Sequence, residues 1–407
     1  MLDRWGKISG MDNGTRRAWS WHKQGLDGSL AGTSAAELLT KTGWARSIGG
    51  ANPYLTLFSR AGIRRKQIDS DVAALKIHEL PTARGCTYVL GADDFAWGLS
   101  LGQGAAEATV KVLDKLGVER REIKDLEDRT LALLQEAAAN GTGPLDPKEL
   151  REKLGAAVRS LGEEGKKKGA STTLPTVLGL LQADGRIRRV PVNGRLDMQR
   201  YAYTAWGLPA PQQSPEQARA KLMERYLRWT GGATLKQTQW FTAFTVAQTK
   251  AALAAVDAVE STVVDPDGLW MLPADAEAAA TFAAPAEEQI QLLAGSDALF
   301  LLRRNSADHV AEEDRGLAVG REKLALTADL PDHPIVDRGR IIGLWQYDPG
   351  NERIAHWLFH EPTDAVQGRI QEVENWIRED LGDFRSFSLD SPASRQKRID
   401  ALNAASR

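Results

Sequence analysis

Polar caps followed by apolar stripes recur along this chain. Ser34-Ala-Ala-Glu37 places a hydroxyl acceptor at a helix start and a Glu three residues on, just before Leu38 and Leu39. Asp146-Pro-Lys-Glu149, Ser214-Pro-Glu-Gln217, Thr234-Leu-Lys-Gln237 and Thr245-Val-Ala-Gln248 repeat the device, the first two of these with Pro at the first helical position. Such starts predict a helix-rich chain interrupted by short strands.

The order of the predicted elements carries more information than their number. From Asp146 a helix is predicted to about residue 161, with Leu150, Leu154, Val158 and Leu161 on one face. Lys166, Lys167 and Lys168 follow in a predicted loop. A second helix starts at Thr173, with Leu174, Val177, Leu178 and Leu181 at i, i+3, i+4 and i+7. Residues 186–190 and 198–204 read as strands around the hairpin signal Asn193-Gly194. Helix, turn, helix, ribbon is the order of a winged helix-turn-helix. It recurs over residues 215–272, with Asp265-Pro-Asp-Gly268 as the ribbon turn, and more loosely over residues 33–91. Residues 126–139 form a further helical pattern, and residues 273–288, rich in Ala and acid, read as a linker. Beyond Gln289 the period changes to two: residues 298–303, 341–347 and 354–360 read as strands, and 363–381 as a helix.

The predicted fold is α+β and helix-rich, with tandem winged helix-turn-helix units followed by a small, mostly-β, barrel-like C-terminal domain. Its expected parts are an N-terminal arm (1–32), a first winged-helix-like unit with a helical linker (33–140), a second unit (141–210), a third (211–275), and the β-barrel-like domain with its C-terminal helix (276–407). The Gly-rich arm, with Trp5, Trp19 and Trp21, reads as extended, part of it docked on the body.

Composition sharpens this picture. With 407 residues, 42% hydrophobic and 26% charged, the chain has the composition of a soluble globular protein of several cores, not of a disordered polyelectrolyte. One cysteine, Cys86, excludes an internal disulfide framework and a thiolate-rich metal site, and fits a reducing cytoplasm. Residues 1–10 show no apolar signal core, and no stretch approaches membrane-spanning length, so a cytoplasmic location is expected. Lys+Arg total 52 against 54 Asp+Glu, for a net charge of -2. That near-neutral sum hides segregation: residues 1–70 and 151–200 are basic, whereas 271–300 hold acids and no Lys or Arg. Lys166, Lys167, Lys168, Arg186, Arg188 and Arg189 bracket the second predicted ribbon. On a winged-helix frame such cations converge on the phosphates of double-stranded DNA. Without a partner they are a solvated basic face.

Arg60, Arg64, Arg65 and Arg84 form a further cluster, in which Arg60 and Arg84 leave two readings open: pairing with Glu37, Asp69 or Glu79 inside the fold, or contact with a DNA phosphate or extruded base. His356 and His360 fall in a predicted strand without further ligands, so no metal is expected. Gly98, Gly102 and Gly104 make no dinucleotide fingerprint, and no nucleophile elbow or P-loop is present, so no cofactor is expected.

Four segments resemble, in order, the AlkZ/YcaQ group of winged-helix DNA glycosylases. They are Tyr54-Leu-Thr-Leu-Phe-Ser-Arg60, the strand segment around Arg84-Gly-Cys-Thr-Tyr88, Arg225-Tyr-Leu-Arg-Trp-Thr-Gly-Gly-Ala-Thr234 with Trp240, and Val336-Asp-Arg-Gly-Arg-Ile-Ile-Gly-Leu-Trp345. The resemblance spans about residues 34–385. It implies tandem winged helices and a C-terminal barrel around duplex DNA, and DNA repair by excision of bulky N7-alkylated or crosslinked purines. The chain departs from the group at the paired polar motif, Gln-x-Gln or Gln-x-Asp, that precedes the Tyr-Leu helix. Here the aligned positions are Arg46 and Ile48, or Gly50 and Asn52 with a gap. Asn52 is the one amide able to stand in, and otherwise caps the helix; Asp69 is the nearby acid able to orient water, while Arg46, Arg60 and Arg84 hold phosphate. The residues thus leave open a monofunctional glycosylase, a catalytically silent DNA reader or regulator, and a protein-binding scaffold, each working as a monomer.

Overall fold

The protein is described here from a computed structural model covering residues 10–198, 200–319, 322–330 and 332–406; Trp5 lies outside the described residues. The chain is 51% helical and 15% strand, which makes it α+β and helix-rich.

The arm is not extended. Asp12 caps a helix, α1 (Asn13–Lys23), by accepting from the Thr15 N–H at 3.0 Å. The helix then buries Trp19 and Trp21, whose indole N–H groups donate to the Gly231 carbonyl (2.9 Å) and Gln289 Oε1 (3.0 Å). Two buried, satisfied indoles tie the arm to partners more than 200 residues away in sequence.

Next come α2 (Ala35–Thr42), β1 (Ala45–Arg46), α3 (Asn52–Ala61), α4 (Arg65–Ala73), β2 (Ile77–Pro81) and β3 (Thr87–Gly91). The three strands form an antiparallel sheet in the order β1-β3-β2. Ala45, Val89 and Glu79 stand in one row across it, and Arg46, Tyr88 and Leu80 in the next, so Glu79 and Arg46 point to opposite faces. Two long helices follow, α5 (Phe95–Asp114) and α6 (Arg120–Ala139).

The second predicted unit is α7 (Pro147–Leu154), α8 (Gly162–Lys167), α9 (Leu174–Ala183), β4 (Ile187–Pro191) and β5 (Tyr201–Ala205). Asn193-Gly194 is not a two-residue hairpin turn. The strands pair from Ile187 with Ala205 to Pro191 with Tyr201, which leaves 192–200 as a long loop. Leu196 in that loop is fully buried and donates its N–H to the Tyr54 hydroxyl at 2.9 Å. The gain from burying Leu196 overrides the local turn signal. The third predicted unit is α10 (Pro215–Thr230), α11 (Leu235–Thr242), α12 (Val246–Ala255), β6 (Val259–Ser261) and β7 (Leu269–Met271). The boxes at Asp146, Ser214, Thr234 and Thr245 all close reciprocally; Ser34 caps α2 through the Glu37 N–H.

The expected linker after residue 272 starts as a helix, α13 (Pro273–Ala280), and leads to β8 (Ile290–Leu292). Residues 298–301 form a short helix, α14 (Ala298–Leu301), where the sequence predicts a strand. Asp297 accepts from the Leu299 N–H at 3.0 Å and so starts a helix, and a short apolar run alone does not distinguish the two. After β9 (Ala318–Val319) and β10 (Glu322–Lys323) come β11 (His333–Asp337), β12 (Arg340–Asp348) and β13 (Arg353–Leu358), then α15 (Asp364–Trp376), which runs through a π turn to Leu381, and α16 (Pro392–Ala405). The C-terminal sheet has the order β13-β12-β11-β8 and stays open. No closed sheet occurs among the described residues, in place of the expected barrel. Four strands are too few to curl onto themselves, and helices cover the faces instead.

One apolar core joins α2 and α3 to this sheet and α15: Tyr54, Leu55 and Leu57 pack with Trp345 and Trp376, and Phe58 stacks on Trp376 at 4.3 Å. A second joins Trp44, Tyr88 and Trp97 to Tyr226, Trp229 and Phe241 of α10 and α11. A third joins the end of α5 to α6, α9 and β4. The β1–α3 loop is therefore held between bodies contributed by distant parts of the chain.

Candidate nucleic-acid interface

The β1–α3 loop, residues 47–51, borders a cavity of about 420 Å³. The β2–β3 turn, the β4–β5 hairpin and Ser388 close it, with Arg46, Ser47, Cys86, Thr87, Arg189 and Tyr201 in its walls. Local bonds fix the loop from every side. The Ser47 N–H donates to the Thr87 carbonyl at 3.1 Å, the Ala51 N–H to the Arg385 carbonyl at 2.8 Å, and the Ser388 N–H to the Ile48 carbonyl at 3.0 Å. Asn52 Nδ2 donates to the Arg46 carbonyl at 2.7 Å. Gly50 lies so close to the chain at Ser386 that a Cβ would sit 2.4 Å from the Ser386 carbonyl oxygen.

Among the described residues, two cations facing this cavity have no carboxylate partner. Arg46 donates to the Thr87 carbonyl at 2.8 Å, with its guanidinium 5.3 Å from the centre of the Tyr88 ring. Arg189 lies over Tyr201 at 5.1 Å, and its buried Nε has no partner. Stacking orients both forks and leaves N–H groups for an incoming anion. Behind them lies one buried acid. Glu79 accepts from the Ser47 hydroxyl and, at 3.5 Å, from the Tyr201 hydroxyl. Burial pushes its carboxyl above the usual range, against the pull of the Ser47 bond and Arg189. The neighbouring His78 is buried with no partner on either ring nitrogen, and burial pushes it down to about 3, so it is neutral near pH 7. Beyond the β2–β3 turn, Arg84, at φ 61°, lies 4.1 Å over Trp240 and stays exposed.

The other expected site residues lie elsewhere. Arg60 is buried and forms a bidentate pair with Asp297 (2.9 and 2.8 Å), so it is not presented to phosphate. Arg64 pairs with Glu379 and Asp380, and Arg65 with Asp69. Asp69 accepts from the Tyr54 hydroxyl at 2.5 Å and lies at the α4–π-turn junction, not in the cavity; burial raises its carboxyl. Asn52 is 2% exposed and spends its amide on the Arg46 carbonyl, so it neither caps α3 through its side chain nor faces the cavity. Lys166 and Lys168 pair with Glu163 and Glu164 of α8, whereas Lys167 is exposed and has no ion pair among the described residues. The three end a short helix instead of standing in a loop. Among the described residues Arg186 and Arg188 have no carboxylate partner, and burial lowers Arg188. Ser47, Glu79 and Tyr201 were missed as a group. A His-Glu pair inside an otherwise apolar strand, Ile77-His-Glu-Leu80, is the signal that marks the buried acid.

A family model described as DNA glycosylase AlkZ-like matches residues 44–372. No curated protein matches the chain. Among solved structures, the Streptomyces sahachiroi DNA glycosylase AlkZ superposes with a TM-score of 0.68 at 19% identity, over 91% of this chain and 98% of that one.

Proposed function

The chain belongs to the AlkZ-like DNA glycosylase family, and on that premise we propose that it binds duplex DNA and excises bulky N7-alkylated or crosslinked purines during repair. The observation that carries this reading is the cavity at the β1–α3 loop, where unpaired Arg46 and Arg189 flank a Ser47 hydroxyl backed by buried Glu79. In this reading the two helix–helix–ribbon segments act as winged-helix units. Arg46, Arg84, Lys167, Arg186, Arg188 and Arg189 meet phosphates, and a base leaves the stack toward the cavity.

N7-alkylguanine already carries positive charge, so its departure needs no proton donor. The C1′–N9 bond breaks with its electron pair going to the purine, which leaves neutral. Water forms the new C1′–O bond and passes a proton through the Ser47 hydroxyl to Glu79, whose raised proton affinity suits it as the base. Asn52 and Asp69 hold structure in this scheme.

A second reading, a catalytically silent reader of damaged duplex, is favoured by the inward amide of Asn52 and the lack of an amide at positions 46 and 48. One assay separates the two. Duplex containing N7-alkylguanine or an interstrand crosslink is incubated with wild type, Ser47→Ala, Glu79→Gln and Asn52→Ala, and abasic sites are counted. Product from wild type that falls at least ~100-fold in Ser47→Ala and Glu79→Gln supports the hydrolase. Binding without product supports the reader, and no salt-sensitive binding removes both.

A further inference from the structure

A second polar cavity shares no lining residue with the first. It has a volume of about 300 Å³ and sits between α1, the start of α11, the β6–β7 turn and residues 303–315. Its wall contains Arg303, 9% exposed, which among the described residues has no carboxylate within ion-pair distance. The Arg303 guanidinium donates only to the Gly232 carbonyl, at 3.4 Å, and to the Ser20 hydroxyl. A buried guanidinium hydrogen-bonded only to neutral acceptors is costly, and burial holds Arg303 below its ordinary value against the pull of Asp308 and Asp265.

The surroundings add to the imbalance. Arg17 lines the same cavity and among the described residues donates only to the carbonyls of Asp308 and Val310, at 2.8 and 2.9 Å. Arg16 and Arg315 complete the basic wall, each with one carboxylate, Asp265 and Glu312. Asp308 is the remaining acid and accepts from Asn305 at 3.0 Å. Two acceptors stand without partners: Asn305 Oδ1 and His309 Nε2. His309 Nδ1 donates to the Gly339 carbonyl at 2.7 Å, which fixes the tautomer and leaves Nε2 as a lone pair. Guanidinium forks beside two free acceptors suit a tetrahedral oxyanion that still carries an O–H.

We propose that this cavity is a binding site for phosphate, either the free ion or the terminal monoester of a nucleotide, with Arg303 and Arg17 as its principal donors. A backbone phosphodiester inside a duplex does not fit it, because the Arg303 head lies below the surface and a duplex cannot enter a 300 Å³ recess.

The test is titration calorimetry and thermal unfolding of the full chain with three probes at equal ionic strength: inorganic phosphate, a nucleoside 5′-monophosphate and chloride. Saturable binding of phosphate or the monophosphate, with a raised unfolding midpoint and no response to chloride, is expected. The arm that binds more tightly identifies the source. Arg303→Met removes the charge but keeps the packing and should weaken binding at least ~10-fold, the loss expected for a charge-assisted hydrogen bond. Arg17→Gln, on a half-buried side chain, provides a second variant with the same expected direction. Absence of saturable binding by either phosphate probe overturns the proposal. So does binding that both variants leave unchanged.

Discussion

Removing one charge beneath the β1–α3 region should cost more than any surface substitution in this protein. Arg60 and Asp297 have side chains 0% and 1% exposed and meet through two bonds, at 2.9 and 2.8 Å. Arg60 also donates to the Gln24 carbonyl at 2.8 Å and to Gln24 Oε1 at 3.1 Å, so its donors are nearly saturated. Asp297→Asn retains the cap on α14, because Asn caps as well as Asp, and removes only the negative charge. Breaking a buried pair from one side leaves the other charge uncompensated, at a cost of about 3–5 kcal/mol. Urea unfolding followed by tryptophan fluorescence reads this directly. Arg60→Met combined with Asp297→Asn should recover most of the loss, since neither residue then carries buried charge. Arg60→Met alone should leave DNA affinity unchanged in a protein that stays folded. A loss below about 1 kcal/mol for Asp297→Asn, or a double variant no better than the single one, would refute the reasoning.

Three buried histidines make the fold acid-sensitive: burial pushes His78 to about 3, His309 to about 4 and His333 to about 3, all below the ordinary 6.5. The unfolded chain takes up these protons first, so stability should fall below pH 6.5, by up to about 4 kcal/mol per pH unit near pH 5 from these three; His78→Phe should remove about a third of that slope in urea midpoints measured against pH. Glu79 has the opposite sign: its raised carboxyl contributes stability that is complete below pH 4.5 and lost as pH rises through its folded value. Glu79→Gln should therefore gain on wild type toward neutral pH, and a variant less stable there by the same urea measurement argues against a strained buried acid. Gly50→Ala drives a Cβ into the Ser386 carbonyl and should displace the loop and the Ala51–Arg385 bond, lowering both the unfolding midpoint and, at least ~10-fold, the abasic-site yield or DNA affinity. The log of DNA affinity should fall with log salt with a slope of about −5, the value for six unpaired cations, and Arg189→Ala should reduce it by about 1.

The capping boxes made the helices legible, because each is a local bond between residues three apart. The two antiparallel ribbons were legible in position but not in register. Residues 192–200 carry a short-turn signal, yet Leu196 finds a core place beside Tyr54, which no local pattern encodes. The four-stranded C-terminal sheet was only half visible, since β8 and β11 are short and their pairing spans more than 40 residues. Helix α16 escaped notice because its buried face is narrow, with Arg395, Ile399 and Leu402 inward among polar neighbours. At the candidate site, Arg46 and Arg189 were visible as cations. Ser47 and Glu79 were not, because they meet only where the β1-β3-β2 sheet brings together residues 32 apart in sequence.

The same distinction between local and distant partners governs the charges. Read along the sequence, every Arg and Lys between residues 46 and 84, and again between 166 and 189, counts equally toward a basic face. Folding sorts them. Arg60, Arg64, Arg65, Lys166 and Lys168 each meet a carboxylate: Lys166 and Lys168 within α8, Arg65 within α4 at Asp69, and Arg60 and Arg64 with acids beyond residue 290. The cations that remain, Arg46, Arg84 and Arg189 among them, instead stack on Tyr88, Trp240 and Tyr201. A ring orients a guanidinium without neutralising it, whereas a carboxylate does both. A ring is therefore not enough by itself, since Arg304 on Trp240 and Arg369 on Phe58 also meet Asp329 and Glu372; Arg46, Arg84 and Arg189 stay available to an outside anion because a ring holds each of them and, among the described residues, no carboxylate does.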